Sequence, residues 1–415
     1  MASNAYKNQK KDLKHTKSSI NKAADLIRKG CEDPKVKVDA IKKIQNFREA
    51  HLYPLMLMKN HLVRTARKVD KNVIVARRLK RLDTIIDKLE RPTLDGASGN
   101  SIKLTRMQDI GGCRAIVKNL STLRLLEKKL LASRSVHQVI RTQNYLDPKP
   151  SGYGGVHLIY SCFENQDDTS PTNQYKKLKI EIQLRTQLHH AWATSLEIVD
   201  LVKGYNLKTS LVGNDSWRNF FSHAGRLVAA HEGAIELSES EAYGSRLNMI
   251  YAMENTSVLS VLARGTLAIQ TASDDRIRKR LPKNHTSNGL YLVKFWSGPL
   301  NKEGEETIRS NVYHYNSKLT NAALEDLEES ESDSSVKLAV LVSSENLNNL
   351  RKAYPNYFGS STEFIAFLKA EIRLFLKQTK LDGNILTNPH GTVELNEDEL
   401  AIHLKLVKVL TARSS

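Results

Sequence analysis

The stretch that most constrains this chain is residues 145–197, which read YLDPKPSGYGGVHLIY, a polar break, then KLKIEIQLRTQLHHAWATSLE. A Lys149-Pro150-Ser151-Gly152-Tyr153-Gly154-Gly155 loop precedes an apolar run ending at Tyr160. A second run, Leu178 to Leu184, alternates, so Glu181, Gln183 and Arg185 share one face of a predicted strand. The period then changes to that of a helix through Leu188, Trp192 and Leu196. A loop offering a ring and a lysine, beside a strand with a carboxylate and an arginine, suits a phosphorylated planar ligand. An edge hairpin feeding a helix accounts for the same pattern without any ligand.

Around this stretch the chain alternates helical and strand patterns. One amphipathic helix is expected at Ile20, Ala24, Leu26 and Ile27, and a long helical pattern runs from Val38 to Val63 with a kink or boundary at Pro54. Val73 to Leu89 reads as a further helix, apolar at Leu79, Leu82, Ile85, Ile86 and Leu89, with Arg77, Arg78, Lys80, Arg81 and Lys88 opposite. Met107 to Val117 reads as a Gly-bearing turn feeding a buried strand, Leu120 to Leu131 as a helix and Val136 to Ile140 as a strand. Trp217 to about Arg278 is helical in pattern. Strands are expected at Leu290 to Phe295, Thr307 to Tyr315 and Val336 to Val342, with an acidic serine-rich turn, EESESDSS, before the last. Helices are expected at Leu319 to Leu327, Leu347 to Tyr354, Thr362 to Lys377 and Asp398 to Leu410. The fold class is therefore α+β, a mixed sheet packed by helices plus a small C-terminal α+β domain. The expected divisions are a basic segment 1–37, a main domain 38–210, a helical connector 211–284, a small module 285–378 and a tail 379–415.

At 415 residues, two domains with sizeable cores are the prior. The formal net charge is +18, and the first 100 residues, with 24 Lys and Arg against 11 Asp and Glu, hold most of it. Such a field attracts polyanions, ATP and RNA alike; a solvated basic helix surface would look the same. No apolar run approaches the ~20 residues that span a bilayer. The lysine-rich N-terminus lacks the apolar core of a secretory signal. Cys31, Cys113 and Cys162 have no zinc or disulfide spacing, so a reduced, cytoplasmic protein is expected.

Three cations, Arg78, Lys80 and Lys88, are placed to grip a polyphosphate, arginine as a fork and lysine as a movable point charge. Asp109 precedes Gly111 and Gly112, where backbone can approach a ligand closely, and Arg114 comes after them. An aspartate beside a phosphate cluster invites magnesium, and Glu181 is the candidate second carboxylate or proton acceptor. Tyr153 is placed to stack on a base. Each residue has an ordinary alternative: solvated cations, a turn-forming aspartate, and histidines (His157, His189, His190) bonded within a core.

The order of these pieces resembles the RelA/SpoT-type alarmone synthetase domain. The resemblance spans roughly residues 60–205. It is carried by Arg78-x-Lys80 with Thr84-Ile85 and Lys88, Asp109-x-x-Gly112-x-Arg114, Lys149 with Ser151-Gly152-Tyr153 and His157, and Glu181-Ile182-Gln183-Leu184-Arg185-Thr186 with Trp192-Ala193. It implies a nucleotidyltransferase-like fold that transfers the β,γ-pyrophosphate of ATP to a nucleotide 3′-hydroxyl. On that resemblance Arg78, Lys80, Lys88 and Arg114 bind ATP, Asp109 and Glu181 are catalytic and hold Mg2+, and Lys149, Ser151, Tyr153, His157, Gln183 and Arg185 face the acceptor. Three departures stand out. Thr84 replaces a serine, Gly154 stands where an arginine follows the loop tyrosine, and the Glu-His pair after Trp-Ala is missing. The last two argue against a free guanosine nucleotide as the acceptor. The segment before the match is also too short for the hydrolase domain of the long bifunctional members.

Ala353-Tyr354-Pro355-Asn356-Tyr357-Phe358 contains Tyr-x-x-Tyr, and the layout resembles the CapRel fused toxin–antitoxin proteins. That resemblance implies an autoinhibitory role for Tyr354 and Tyr357 and the tRNA acceptor end as substrate. It also implies a phage structural (capsid-like) protein as trigger, and neither DNA nor membrane as partner. A stand-alone small synthetase making (p)ppGpp or (p)ppApp is the alternative.

Overall fold

A computed structural model describes residues 8–90, 102–167, 169–205, 207, 214–263, 290–300, 306–316, 318–343, 347–354 and 361–411. The chain divides into two compact units, the first comprising Met1–Gln143, Val156–Leu184 and Thr271–Ala353, and the second Asn144–Gly155, Arg185–Gln270 and Tyr354–Ser415.

The first unit opens with helices whose starts are written in the sequence. In α1 (Lys17–Arg28) the Thr16 side chain caps the first turn, and Ile20, Ala23, Ala24 and Ile27 are buried at helical spacing. Asp33 caps α2 (Pro34–Ala50), with Pro34 in the first turn where its missing N–H costs nothing. The long pattern expected from Val38 is thus two helices, α2 and α3 (Leu52–Arg67), and Pro54 lies in the first turn of the second.

The expected helix from Val73 to Leu89 is a strand and then a helix. Residues 74–79 form β1 (Ile74–Leu79), and only Leu82–Glu90 is helical, as α4. The leucine spacing satisfied a helix, but β1 has partners on both sides, and pairing within a sheet outweighs local propensity. One neighbour is β2 (Gly111–Val117), in antiparallel register from Ile74 against Ile116 to Leu79 against Gly111. The other is β8 (Val336–Ser343), where Arg77 faces Ser343 and Arg78 faces Val342.

The remaining strands are β3 (Gln138–Tyr145), β4 (Gly155–Ser161), β5 (Lys179–Thr186), β6 (Leu290–Leu300) and β7 (Glu306–Tyr315). All eight join one sheet in the order β3-β4-β5-β2-β1-β8-β6-β7. Helix α5 (Leu120–Leu131) has the expected bounds, with Asn119 as its cap. Strand β3 begins and ends later than the Val136 to Ile140 run.

Residues 285–378 do not stay together. Strands β6, β7 and β8, with helices α9 (Thr320–Ser332) and α10 (Leu347–Ala353), extend the sheet of the first unit. Helix α11 (Thr362–Gln378) belongs to the second unit. The acidic serine-rich stretch is not all turn, since α9 runs through Ser332 and buries Ser330.

The second unit is a helical core of α6 (Gln187–Lys203), α7 (Asp215–His231), α8 (Glu239–Thr256) and α11. Phe364 of α11 is fully buried, stacking on Phe221 at 6.3 Å and meeting Phe220 edge-on at 6.1 Å. Arg246 donates to Glu371 at 2.8 Å, joining α8 to α11. A meander of β9 (Lys380–Asp382), β10 (Ile385–Asn388) and β11 (Gly391–Glu394), not foreseen from the sequence, precedes α12 (Glu397–Thr411). Among the described residues no helix is long and apolar enough to cross a membrane.

Truncating Phe364 to alanine removes a ring from the centre of the second unit. The expected loss is about 3–5 kcal/mol of unfolding free energy, measured by urea denaturation of the full chain.

Candidate active site

Alternation along the strands decides which side chains meet. In the β1–β2 pair Arg78 lies opposite Gly112, and Ala76 opposite Arg114, so Arg78 and Arg114 share a face. In the β4–β5 pair His157 lies opposite Gln183, and Ile159 opposite Glu181. The guanidinium Nη2 of Arg114 reaches Oε1 of Gln183 at 3.5 Å, which puts both pairs on the same face of the sheet. Arg77 turns the other way, buried, donating to Gln9 Oε1 at 2.8 Å.

Asp109 stands just before β2, and two lysines hold it. Lys80 Nζ donates to Oδ2 and Lys88 Nζ to Oδ1, each at 2.9 Å. Arg78, Lys80 and Lys88 therefore do not form a helix face. Arg78 is on β1, Lys80 is in the turn after it, and Lys88 is on α4; Lys80 and Lys88 meet through Asp109. Burial pushes the Asp109 carboxyl up, but the two ammonium groups outweigh it and bring the pKa down to about 2. For Lys80 burial is the larger effect and lowers its pKa, with Lys88 and Arg78 adding repulsion that Asp109 only partly offsets.

Glu181 is held from two sides. His157 Nδ1 donates to Oε1 at 2.9 Å and Gln183 Nε2 to Oε2 at 2.8 Å. Burial and the negative charge of Asp109 raise the Glu181 pKa, but the bonds and charge from His157 bring it below the ordinary value. The two carboxylates feel each other's charge, a repulsion that a divalent cation would relieve. Among the described residues no cluster of three or more His, Cys, Asp or Glu could hold a metal alone. The donor set fits magnesium, which takes one or two carboxylates and fills its shell with phosphate oxygens and water.

Arg114 has a further partner that the sequence did not suggest: its Nη1 donates to the carbonyl of Ala353, the last residue of α10, at 3.3 Å. Tyr354, next in the chain, is buried, whereas Tyr357 lies outside the described residues.

The expected acceptor residues Lys149, Ser151, Tyr153 and Arg185 lie in the second unit. The loop is closed by Gly152 N–H donating to Lys149 O at 2.7 Å and Lys149 N–H to Tyr153 O at 3.1 Å. Gly152 has φ +84°, and a Cβ there would lie 2.2 Å from the Phe221 carbonyl oxygen, so only glycine fits. The Tyr153 ring is half-buried, with the Arg185 guanidinium 5.1 Å and Lys149 Nζ 5.9 Å from its centroid, and Arg185 Nη2 donates to its hydroxyl at 2.9 Å. Tyr145, which no motif singled out, carries Lys149 Nζ at 3.9 Å over its ring. Arg185 is 3% exposed, and its Nε and Nη1 are buried with no partner among the described residues. Unpaired guanidinium donors at that depth are costly, which suits an anion arriving from outside. Ser151 is exposed.

Gly154 has a steric reason: a Cβ would come within 2.6 Å of the His189 ring. His189 is pinned by Glu232, whose Oε2 lies 2.8 Å from Nδ1. This is the core-bonded alternative that the sequence left open for His189.

Residues 77–198 match the family model described as "Region found in RelA / SpoT proteins". Over those residues the chain is similar to a RelA/SpoT region. GTP pyrophosphokinase YwaC of Bacillus subtilis (strain 168) is 30% identical over 122 residues, covering 28% of this chain and 52% of the relative. The chain thus spans about half the length of the curated relative it matches. Among solved structures, small alarmone synthetase 1 from Bacillus subtilis is similar at 21% identity and TM-score 0.35, covering 45% of this chain and 92% of that one. A GTP pyrophosphokinase family protein from Streptococcus pneumoniae is similar at 20% identity and TM-score 0.32, covering 43% and 85%. The RelA/SpoT region contains all the expected ATP and acceptor residues, and ends before α7 begins.

Because the folded pKa of Asp109 lies below the ordinary 3.8, its ionised form stabilises the fold above that value, and the contribution fades as pH falls toward about 2. Urea denaturation of wild type and Asp109→Asn should show the largest stability gap at neutral pH. The gap should close over that acid window.

Proposed function

We propose that the chain is a RelA/SpoT-type pyrophosphokinase that transfers the β,γ-pyrophosphate of ATP to the 3′-hydroxyl at the CCA end of tRNA. The observation that carries the reading is Asp109 gripped by Lys80 and Lys88, within electrostatic reach of Glu181. Lysines that neutralise a carboxylate in the absence of ligand can turn to phosphate oxygens when ATP arrives, leaving the carboxylate for a cation. Arg78 and Arg114, on the same sheet face, add forked donors for the remaining phosphate oxygens or the adenine edge. Asp109 and Glu181 would hold Mg2+, which would supply charge neutralisation for the transferring group. Glu181, kept ionised by His157, would accept the proton of the attacking hydroxyl. Transfer at phosphorus is chiefly a matter of alignment and charge stabilisation, which these groups provide.

For the acceptor, Tyr153 would stack on a terminal base, and the unpaired donors of Arg185 with Lys149 would receive its phosphates. Ser151 in the second unit, and Gln183 and His157 in the first, are the further acceptor residues of this reading. The net charge of +18 favours a polyanion such as tRNA, and the space beside Gly154 admits no arginine. A second reading, transfer to a guanosine or adenosine nucleotide, is favoured by the Bacillus relative, which is named a GTP pyrophosphokinase.

Regulation is part of the proposal. Arg114 spends one donor on the Ala353 carbonyl, which supports a resting state in which the end of α10 obstructs the nucleotide site, with Tyr354 and Tyr357 as the residues that the CapRel-like reading makes inhibitory. A phage structural protein would release it in the cytoplasm, and the freed enzyme would stop translation.

With γ-labelled ATP, label should appear on deacylated tRNA and stay off GDP and GTP; label on the mononucleotides alone would establish the second reading. Asp109→Ala and Glu181→Ala should each lower transfer by ~10²-fold or more. Tyr354→Ala should make the chain toxic without a trigger, scored by growth at matched expression.

A further inference from the structure

The turn that carries Lys80 is held by a buried ion pair whose members are far apart in the chain. Arg48 on α2 is 1% exposed at its side chain and Glu331 on α9 is 4% exposed. Their contact is two-pronged, Nη1 to Oε2 at 2.8 Å and Nη2 to Oε1 at 2.9 Å. Each member also grips the backbone of the turn. Arg48 Nε donates to the Lys80 carbonyl at 2.7 Å, and Glu331 Oε1 accepts from the Leu82 N–H at 3.1 Å. Gln45 Oε1 takes a further bond from Arg48 Nη1 at 2.9 Å, so the guanidinium is bonded along its whole edge. Residues 80 and 82 bracket the step from β1 into α4, and those two elements deliver Lys80 and Lys88 to Asp109.

A buried ion pair is a poor source of stability, because desolvation offsets most of its attraction, and an apolar pair of like volume often serves as well. What an apolar pair cannot do is accept one backbone N–H and donate to one backbone carbonyl two residues apart. The geometry therefore suits positioning. We propose that Arg48 and Glu331 act together as positioning residues for the nucleotide site, fixing the turn so that the Lys80 ammonium points at the place where ATP phosphates bind. The inference rests on the proposed role of Lys80 in holding ATP. It gives the trailing strands a second role: Glu331 supports the site while Ala353, further along the same segment, occupies Arg114. Release of the site would then have to move α10, and leave α9 on β8 and β8 paired with β1.

The test uses the full-length protein and three measurements: ATP KM and kcat in the transfer assay, equilibrium ATP binding, and hydrogen exchange at the Leu82 amide. Glu331→Gln should raise KM for ATP about tenfold or more, as misplacement of a binding group does, with a much smaller change in kcat and faster exchange at Leu82. The paired variant Arg48→Met with Glu331→Leu should unfold at the wild-type urea midpoint yet keep the raised KM. A stable paired variant with wild-type KM and ATP affinity would overturn the proposal, whether or not Glu331→Gln folds. If wild type transfers no pyrophosphate at all, the reading of function fails, while ATP binding and Leu82 exchange still decide the positioning role.

Discussion

A carboxylate removed from water does not stay ionised without compensation, and Asp109 is kept charged by two ammonium groups 2.9 Å away. Most of the first unit can be understood as the framework needed to bring those three side chains together. Lys80 comes from the end of β1, Lys88 from α4 and Asp109 from the turn before β2. The antiparallel register of β1 on β2 sets Leu79 against Gly111, which brings the end of one strand beside the start of the other. In the proposed reaction the same lysines would turn to a polyphosphate. Glu181, held from the next strand of the sheet, lies within electrostatic reach of Asp109.

The trailing strands bear on this site more closely than a detached module would. Strand β8 adds to the free edge of β1, and its helix α9 reaches back to the turn at Lys80 through Glu331. An edge strand is an open template for pairing, and here the chain closes it with its own later segment. Among the described residues the β1–β8 ladder pairs Arg77 with Ser343 and Arg78 with Val342. The buried Arg48–Glu331 contact adds direction to it, since its backbone bonds are satisfied in one placement of the turn. The contact of Arg114 with Ala353 links that segment to a residue expected to face ATP.

In the second unit the acceptor loop is shaped by close packing. Gly152 passes so near the Phe221 carbonyl that no side chain fits, and Gly225 of α7 meets Gly152 in the same way, its missing Cβ 2.1 Å from the Gly152 oxygen. Trp192 Nε1–H donates to that same Phe221 carbonyl at 3.0 Å, so α6, α7 and the loop share one anchor. Tyr153 is held against this anchor by Arg185, whose Nε and Nη1 are buried with no partner among the described residues.

Local pattern determined a good deal by itself. The period-two run of Glu181 and Gln183, the bounds of α5, the β6–β7 hairpin and the caps at Thr16 and Asp33 come from residue order, because strand alternation and helix capping act over a few residues. The ordered blocks from Arg78 to Trp192 were likewise enough to point to the RelA/SpoT region. Residues 74–79 were misread as helix because Leu79 falls in helical spacing with Leu82, Ile85, Ile86 and Leu89, and only the neighbours β2 and β8 mark them as strand. Arg48 and Glu331 carried no signal, the first an ordinary charge on a helical pattern and the second one of several acids in a stretch read as a turn, 283 residues away. The meeting of Lys80 with Lys88, the closing of β1 by β8 and the burial of that ion pair were decided by tertiary structure, because burial and long-range pairing set the worth of a charge or an unpaired edge.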